Sequence, residues 1–144
     1  MKEKTICRGD LFYYDFGTRT GSVQSGTRPV LVIQADDYNR NAPTIIVAAV
    51  TGVIKKKRSL PSHILLGQEF GLKKPSMVLL EQLQTVNKDE LRDYIGTIED
   101  EQLLRRINIT LKKTFGLWIY KEEKKENIRC LCQKCLKDYI HNPD

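Results

Sequence analysis

The apolar positions of this chain fall mostly in short runs bounded by glycine, proline and Asx residues, a pattern of strands rather than helices. Leu11-Phe12-Tyr13-Tyr14-Asp15-Phe16 reads as a first strand, with Gly9-Asp10 before it and Gly17 after it. Residues 17–27 are rich in Gly, Ser and Thr and predict a loop. Arg28 to Ala35 and Pro43 to Thr51 are continuous apolar strands, which implies burial on both faces. The Asx-rich stretch 36–41 between them reads as a polar turn. Further strands are predicted over Leu60–Leu66 and Ser76–Gln82, the latter continuing through Gln84-Thr85-Val86 after a bend. Lys88–Leu91 can form one helical turn, and Tyr94–Ile98 a last short strand. The period then changes. Leu103, Leu104, Ile107 and Leu111 share a helical face, Glu99 or Asp100 can cap its start, and Gly116 is a natural stop. Many short strands, one late helix and no βαβ alternation predict a mainly β fold with a C-terminal helix, a compact barrel.

Two of these strands bring two residues together. In an antiparallel pair, residue numbers across the ladder have a constant sum. If Asp36 faces Pro43, the same sum sets Arg28 opposite Thr51, at the open end of the hairpin. The polar loop before Arg28 and a basic loop after Thr51 would flank that point. A guanidinium can hold a phosphate bidentately and stabilise a charged transition state. A threonine hydroxyl can donate to a phosphate or leaving oxygen. RNA brings its own nucleophile, the 2′-hydroxyl, so such a site needs neither a metal nor a protein nucleophile. A surface arginine and a strand-end threonine with no role fit the same geometry.

Charge points the same way. The formal net charge of +6 favours an anionic partner, and Lys55-Lys56-Lys57-Arg58 makes that charge local, as a nucleic-acid contact would require. The chain shows no secretory h-region and no apolar run of about 20 residues, so the expected setting is the cytosol, with no membrane contact. After Trp118 the composition shifts to the charge run Lys121–Glu126 and a tail holding Cys130, Cys132, Cys135 and His141. These are zinc-ligand types, but the spacing is compressed and lacks two separated ligand pairs. No metal or cofactor is assigned, and a reduced, partly packed helical tail is the expectation.

Five pieces occur in order: Arg8-Gly9-Asp10; Gly21-Ser22, Gln24 and Gly26-x-Arg28-Pro29-Val30; Val47-Ala48-Ala49-Val50-Thr51; Pro61-Ser62-His63; and Leu79-Leu80-Glu81-Gln82. Together they resemble the MazF/PemK family of toxin endoribonucleases over roughly residues 6–117. The resemblance implies an SH3-like β barrel of the CcdB/MazF/PemK type over residues 1–118, with 119–144 a charged, Cys-containing extension that it does not reach. It implies a bacterial, cytoplasmic toxin, a homodimer, that cleaves single-stranded RNA sequence-specifically without metal. The products would be a 2′,3′-cyclic phosphate and a 5′-hydroxyl, with translation and growth inhibited. It also implies neutralisation by a cognate antitoxin whose acidic tail occupies the RNA groove, DNA being reached only through that antitoxin. Arg28 and Thr51 match the family's catalytic positions. Ser22, Gln24 and Gln82 match RNA-contacting positions, with Lys55, Lys56, Lys57 and Arg58 as further phosphate contacts. Many members carry Glu where this chain has Val23 and Gly where it has Ser25, which puts rate and base preference in question before reaction class. His63 reads more readily as a hydrogen-bonded structural histidine than as a catalytic one. The rival readings are a non-catalytic toxin of the same fold that binds a DNA topoisomerase, and an RNA-binding module without activity.

Overall fold

Alternation of side chains along Thr44–Gly52 divides the molecule into two apolar clusters, one on each face of a single sheet. Ile45, Val47 and Ala49 point one way; Ala48 and Val50 point the other. The structure is a computed structural model that describes residues 5–21, 23–52 and 60–117. Its strands are β1 (Asp10–Asp15), β2 (Thr27–Val32), β3 (Thr44–Gly52), β4 (His63–Leu66), β5 (Ser76–Asn87) and β6 (Tyr94–Thr97). They form one antiparallel six-stranded sheet in the order β4-β5-β3-β2-β1-β6. The helices are α1 (Asp36–Asn41) and α2 (Glu101–Phe115).

The sheet curls into a half-barrel. Phe12, Tyr14, Val30, Val32, Met77, Leu79 and Val86 fill one face of the curl together with Ile6 and Leu91. The other face is covered by α2, which buries Leu103 and Ile107 against Leu11, Leu31, Val50, Val78 and Leu80. Asp100 caps that helix by accepting from the Gln102 and Leu103 amides, and Gly116 ends it at φ 72°. Beyond β4, the 3-10 turn Gln68–Phe70 brings Gly71 against the Ile95 carbonyl, and Gly96 of β6 lies against the Phe70 carbonyl. At both glycines a Cβ would fall inside van der Waals contact, so the chain draws this loop onto the far edge strand only because neither carries a side chain. Among the described residues no helix is long and apolar enough to cross a membrane.

Two elements differ from the sequence-based expectation. Residues 36–41 form helix α1 rather than a turn. Asp36 and Asp37 sit in its first turn and Arg40 in its last, an order that suits the helix dipole, and Arg40 pairs with Asp37. Tertiary bonds complete it. The Asn39 side chain donates to the Gln34 carbonyl (2.8 Å) and accepts from the Gln34 amide (2.9 Å), which also donates to Thr44 O (3.0 Å). The strand expected from Leu60 begins at His63 instead. Leu60–His63 is a turn in which His63 N donates to Leu60 O (2.9 Å), with Pro61 in the second position. As expected, β5 continues beyond Gln82, with an irregular stretch where the bend was predicted. Ala48 pairs with Leu83 while Ala49 pairs with Leu79, so Leu80, Glu81 and Gln82 are surplus to the ladder.

Candidate active site

The β2–β3 ladder has the expected register. Val30 faces Ala49, Leu31 faces Ala48 and Val32 faces Val47. The same count continued two positions sets Arg28 opposite Thr51, on the face that carries Val30 and Ala49. The recorded ladder stops before them, at Pro29, which has no N–H to extend it. On its other side Arg28 stays paired to Tyr14 of β1. The two strand ends therefore oppose each other in register without backbone bonds between them. Thr51 is buried, at 5% exposure, whereas Arg28 is half-buried. The Arg28 Nε donates to the Ser25 carbonyl (3.1 Å), which ties the guanidinium to the preceding loop. Among the described residues its terminal nitrogens hold no hydrogen bond or ion pair, so they remain available to a bidentate anion.

The loop from 17 to 26 folds back over β5. The Gln24 amide donates to Gln82 Oε1 (3.1 Å), and Gln24 is 9% exposed. Two residues predicted to contact the same ligand thus meet each other. Beside them lies a cavity of about 200 Å³ lined by Phe16, Arg19, Val23, Ala49 and Gln82. Arg19 anchors the base of the loop, donating from Nε to the Phe16 carbonyl (3.0 Å) and covering the Phe16 ring at 5.5 Å. Val23 is part of this wall, so an apolar side chain borders the cavity next to Gln82.

Gln82 reaches the loop because of the surplus stretch in β5. Glu81, its neighbour there, accepts from Ser62 Oγ (2.7 Å) and meets His63 Nε2 at 2.9 Å. The Leu60 amide donates to His63 Nδ1 (3.0 Å), so that nitrogen carries a lone pair and the ring proton sits on Nε2, facing Glu81. Burial pushes the Glu81 carboxyl up, but the bonds from Ser62 and His63 outweigh it and hold it below the ordinary carboxylate value. With a side chain 4% exposed and both ring nitrogens engaged, His63 is a brace for the Glu81–Gln82 segment.

Arg8-Gly9-Asp10 is a brace as well. Arg8 donates from Nε to Ile33 O (2.8 Å) and from a terminal nitrogen to Asn108 of α2 (2.7 Å). Asp10 accepts from the Cys7 amide (2.9 Å) and the Thr97 hydroxyl (2.7 Å). Ser22, the basic residues Lys55, Lys56, Lys57 and Arg58, and the tail residues Cys130, Cys132, Cys135 and His141 lie outside the described residues. One basic pair at this end of the sheet escaped the sequence reading. Lys73 and Lys74 precede β5, and because Gly52 pairs with Ser76, they arrive beside the end of β3. The pairing of Gly52 with Ser76, had it been worked out, would have been the signal.

A family model described as the PemK-like, MazF-like toxin of type II toxin–antitoxin systems matches residues 7–115. The chain is 44% identical over 99 residues to Endoribonuclease EndoA of Bacillus subtilis, a match covering 68% of this chain and 84% of that protein. It is 36% identical over 118 residues to Endoribonuclease MazF of Staphylococcus saprophyticus, covering 81% and 97%. Among solved structures, an endoribonuclease from a mycobacterial species in complex with its cognate antitoxin superposes with a TM-score of 0.66 at 24% identity, over 80% of this chain and 99% of that one. MazF of Deinococcus radiodurans gives 0.64 at 21%, over 79% and 99%. These two likenesses establish the fold, the curled sheet with a C-terminal helix.

Proposed function

The chain belongs to the PemK-like, MazF-like family of type II toxin–antitoxin toxins, and from that membership we propose that it is a toxin endoribonuclease that cleaves single-stranded RNA by transesterification. The observation that carries this reading is the unladdered end of β2 and β3, where Arg28 and Thr51 stand in opposing register beside the Gln24–Gln82 contact. The RNA 2′-hydroxyl attacks the adjacent phosphorus. The 2′-hydroxyl gives its proton to water as the new 2′-O–P bond forms, the P–O5′ bond breaks, and the departing 5′-oxygen takes a proton from water, leaving a 2′,3′-cyclic phosphate and a 5′-hydroxyl. The terminal nitrogens of Arg28 carry the charge that develops on the phosphoryl oxygens, and Thr51 donates to one of them. A guanidinium stays protonated through the working range, so its role is electrostatic. With that charge supplied by protein, the reaction runs in EDTA. The cavity walled by Val23 and Gln82 takes a neighbouring base, and its apolar wall gives this chain its own sequence preference.

The rest of the reading follows from the family. The toxin works as a homodimer in the bacterial cytoplasm, stops translation by destroying mRNA, and is held silent by an acidic antitoxin segment over the same strand ends. Residues 119–144, beyond the reach of the family model and outside the described residues, are read from their sequence as a charged, Cys-containing extension to the toxin domain of residues 1–118.

Purified protein incubated with a long RNA in EDTA, with the ends mapped, tests the proposal. Cleavage at a defined sequence with cyclic-phosphate ends, strongly slowed in Arg28→Ala and Thr51→Ala, is the expected result. Intact RNA after incubation with folded wild-type protein would overturn it, and a topoisomerase-binding assay would then take its place.

A further inference from the structure

Lys73 and Lys74 stand next to the candidate site and the reading above does not use them. They border a cavity of about 190 Å³ at the unladdered end of β2 and β3, lined also by Tyr13, Arg28, Val50 and Leu72. Lys74 lies directly across the residue that follows Thr51. A Cβ at Gly52 would fall 2.5 Å from the Lys74 Cε and 2.9 Å from its Nζ, so the glycine leaves the path that the lysine occupies. Lys73 holds its ammonium 5.7 Å from the centre of the half-buried Tyr13 ring. Among the described residues neither ammonium has an ion-pair or hydrogen-bond partner. Two cations with no partner among the described residues, an aromatic ring and Arg28 thus line one small cleft. Its volume is below the ~300–1,000 Å³ of clefts that enclose whole drug-sized ligands, so it suits one unit of a longer one.

We propose that this cleft is a nucleotide subsite for the RNA strand, in which Tyr13 stacks the base next to the scissile phosphate and Lys74 and Lys73 hold the flanking phosphates. The inference rests on the RNA-cleavage reading and adds the residues that grip the strand beyond the reacting phosphate. An exposed cation–π contact is weak enough to be exchanged, so a base takes the ring face from Lys73 and frees its ammonium for phosphate. Stacking tolerates every base, and a lysine–phosphate contact carries no sequence information. The subsite therefore supplies affinity and alignment, while sequence is read at the Gln24–Gln82 side.

The test is fluorescence-anisotropy titration of the full chain with a mixed-sequence 2′-O-methyl RNA pool, which lacks the attacking hydroxyl, at several salt concentrations. Lys74→Ala, an exposed position, is expected to bind about tenfold more weakly and to lower the salt slope by about 1. Tyr13→Leu is expected to weaken binding by about tenfold with the salt slope unchanged. Gly52→Ala displaces Lys74, so it should weaken binding in the wild-type background and add nothing in the Lys74→Ala background. All three variants should keep the wild-type cleavage sequence. Wild-type affinity and salt slope in both Lys74→Ala and Tyr13→Leu, in a protein that still cleaves RNA, overturn the subsite and leave the cleavage reading standing. A wild-type protein that neither binds nor cleaves RNA overturns both.

Discussion

The two ends of the β2–β3 pair are built from the same kinds of polar side chain and use them in opposite ways. At the α1 end the polar groups serve one another. Asn39 and Gln34 exchange hydrogen bonds, Gln34 also holds Thr44 O, Lys88 reaches the Asn39 carbonyl, and Arg8 ties Ile33 O to α2. At the Arg28 end the strands stop bonding at Pro29, and the terminal nitrogens of Arg28 and the ammoniums of Lys73 and Lys74 have no recorded partner among the described residues. One end spends its polar groups on closure. The other leaves them without a partner among the described residues. Apolar clusters on both faces of the sheet hold the two ends to one frame, and the two ends differ in the satisfaction of their polar groups.

The sharpest way to break this contrast is to exchange the fates of its two arginines. Arg28→Ala is expected to lower kcat by about 10²–10³-fold, as loss of a transition-state donor does, with unfolding free energy within about 0.5 kcal/mol of wild type. Arg8→Ala should do the reverse, costing about 1–3 kcal/mol of stability because the Ile33 carbonyl loses its donor, with kcat unchanged. Single-turnover cleavage and urea unfolding on both variants would show it; an Arg8 variant that folds normally but fails to cleave would undo the comparison.

A smaller effect is expected at Asn39. Asn39→Ala takes the donor from the Gln34 backbone carbonyl and leaves the half-buried Gln34 side chain only Thr44 O, and should cost about 1–3 kcal/mol by urea denaturation, at the low end if water enters. The cleavage sequence should not move, since the closed end carries no recognition.

The smallest effect concerns pH. The Glu81 carboxyl is held below its ordinary value in the folded protein, so its contribution to stability is present above the unfolded value and disappears as the pH falls through the folded one. Thermal unfolding of wild type and Glu81→Gln should therefore differ most near neutrality and converge in acid, below the reference value of 4.5. Parallel curves down to the acid limit would contradict the Ser62–His63–Glu81 arrangement.

How much of this was legible depended on the distance over which each feature is determined. The β2–β3 register follows from two apolar runs and the parity of their ends, both local, and it led from sequence to the opposition of Arg28 and Thr51. Helix α2 was readable for the same reason, from a four-residue apolar face between Asp100 and Gly116. Helix α1 was not. Six residues carry too little periodicity to show, and what completes it is Asn39 meeting Gln34 outside the helix. The turn at Leu60–His63 was hidden by an apolar residue that reads as strand but is followed by Pro61. Lys74 was invisible to any local rule, because only the long-range pairing of Gly52 with Ser76 brings it to the end of β3.

The surplus stretch Leu80–Gln82 has a consequence for how this fold can change over generations. The ladder counts resume on either side of it, with Leu79 facing Ala49 and Leu83 facing Ala48. A substitution or indel at Gln82 therefore does not slide the core out of phase, as it would within a regular strand. On the reading proposed for Gln82, the barrel can inherit a new specificity at that position while its interior stays the same, which separates the rate at which targets diverge from the rate at which the scaffold does.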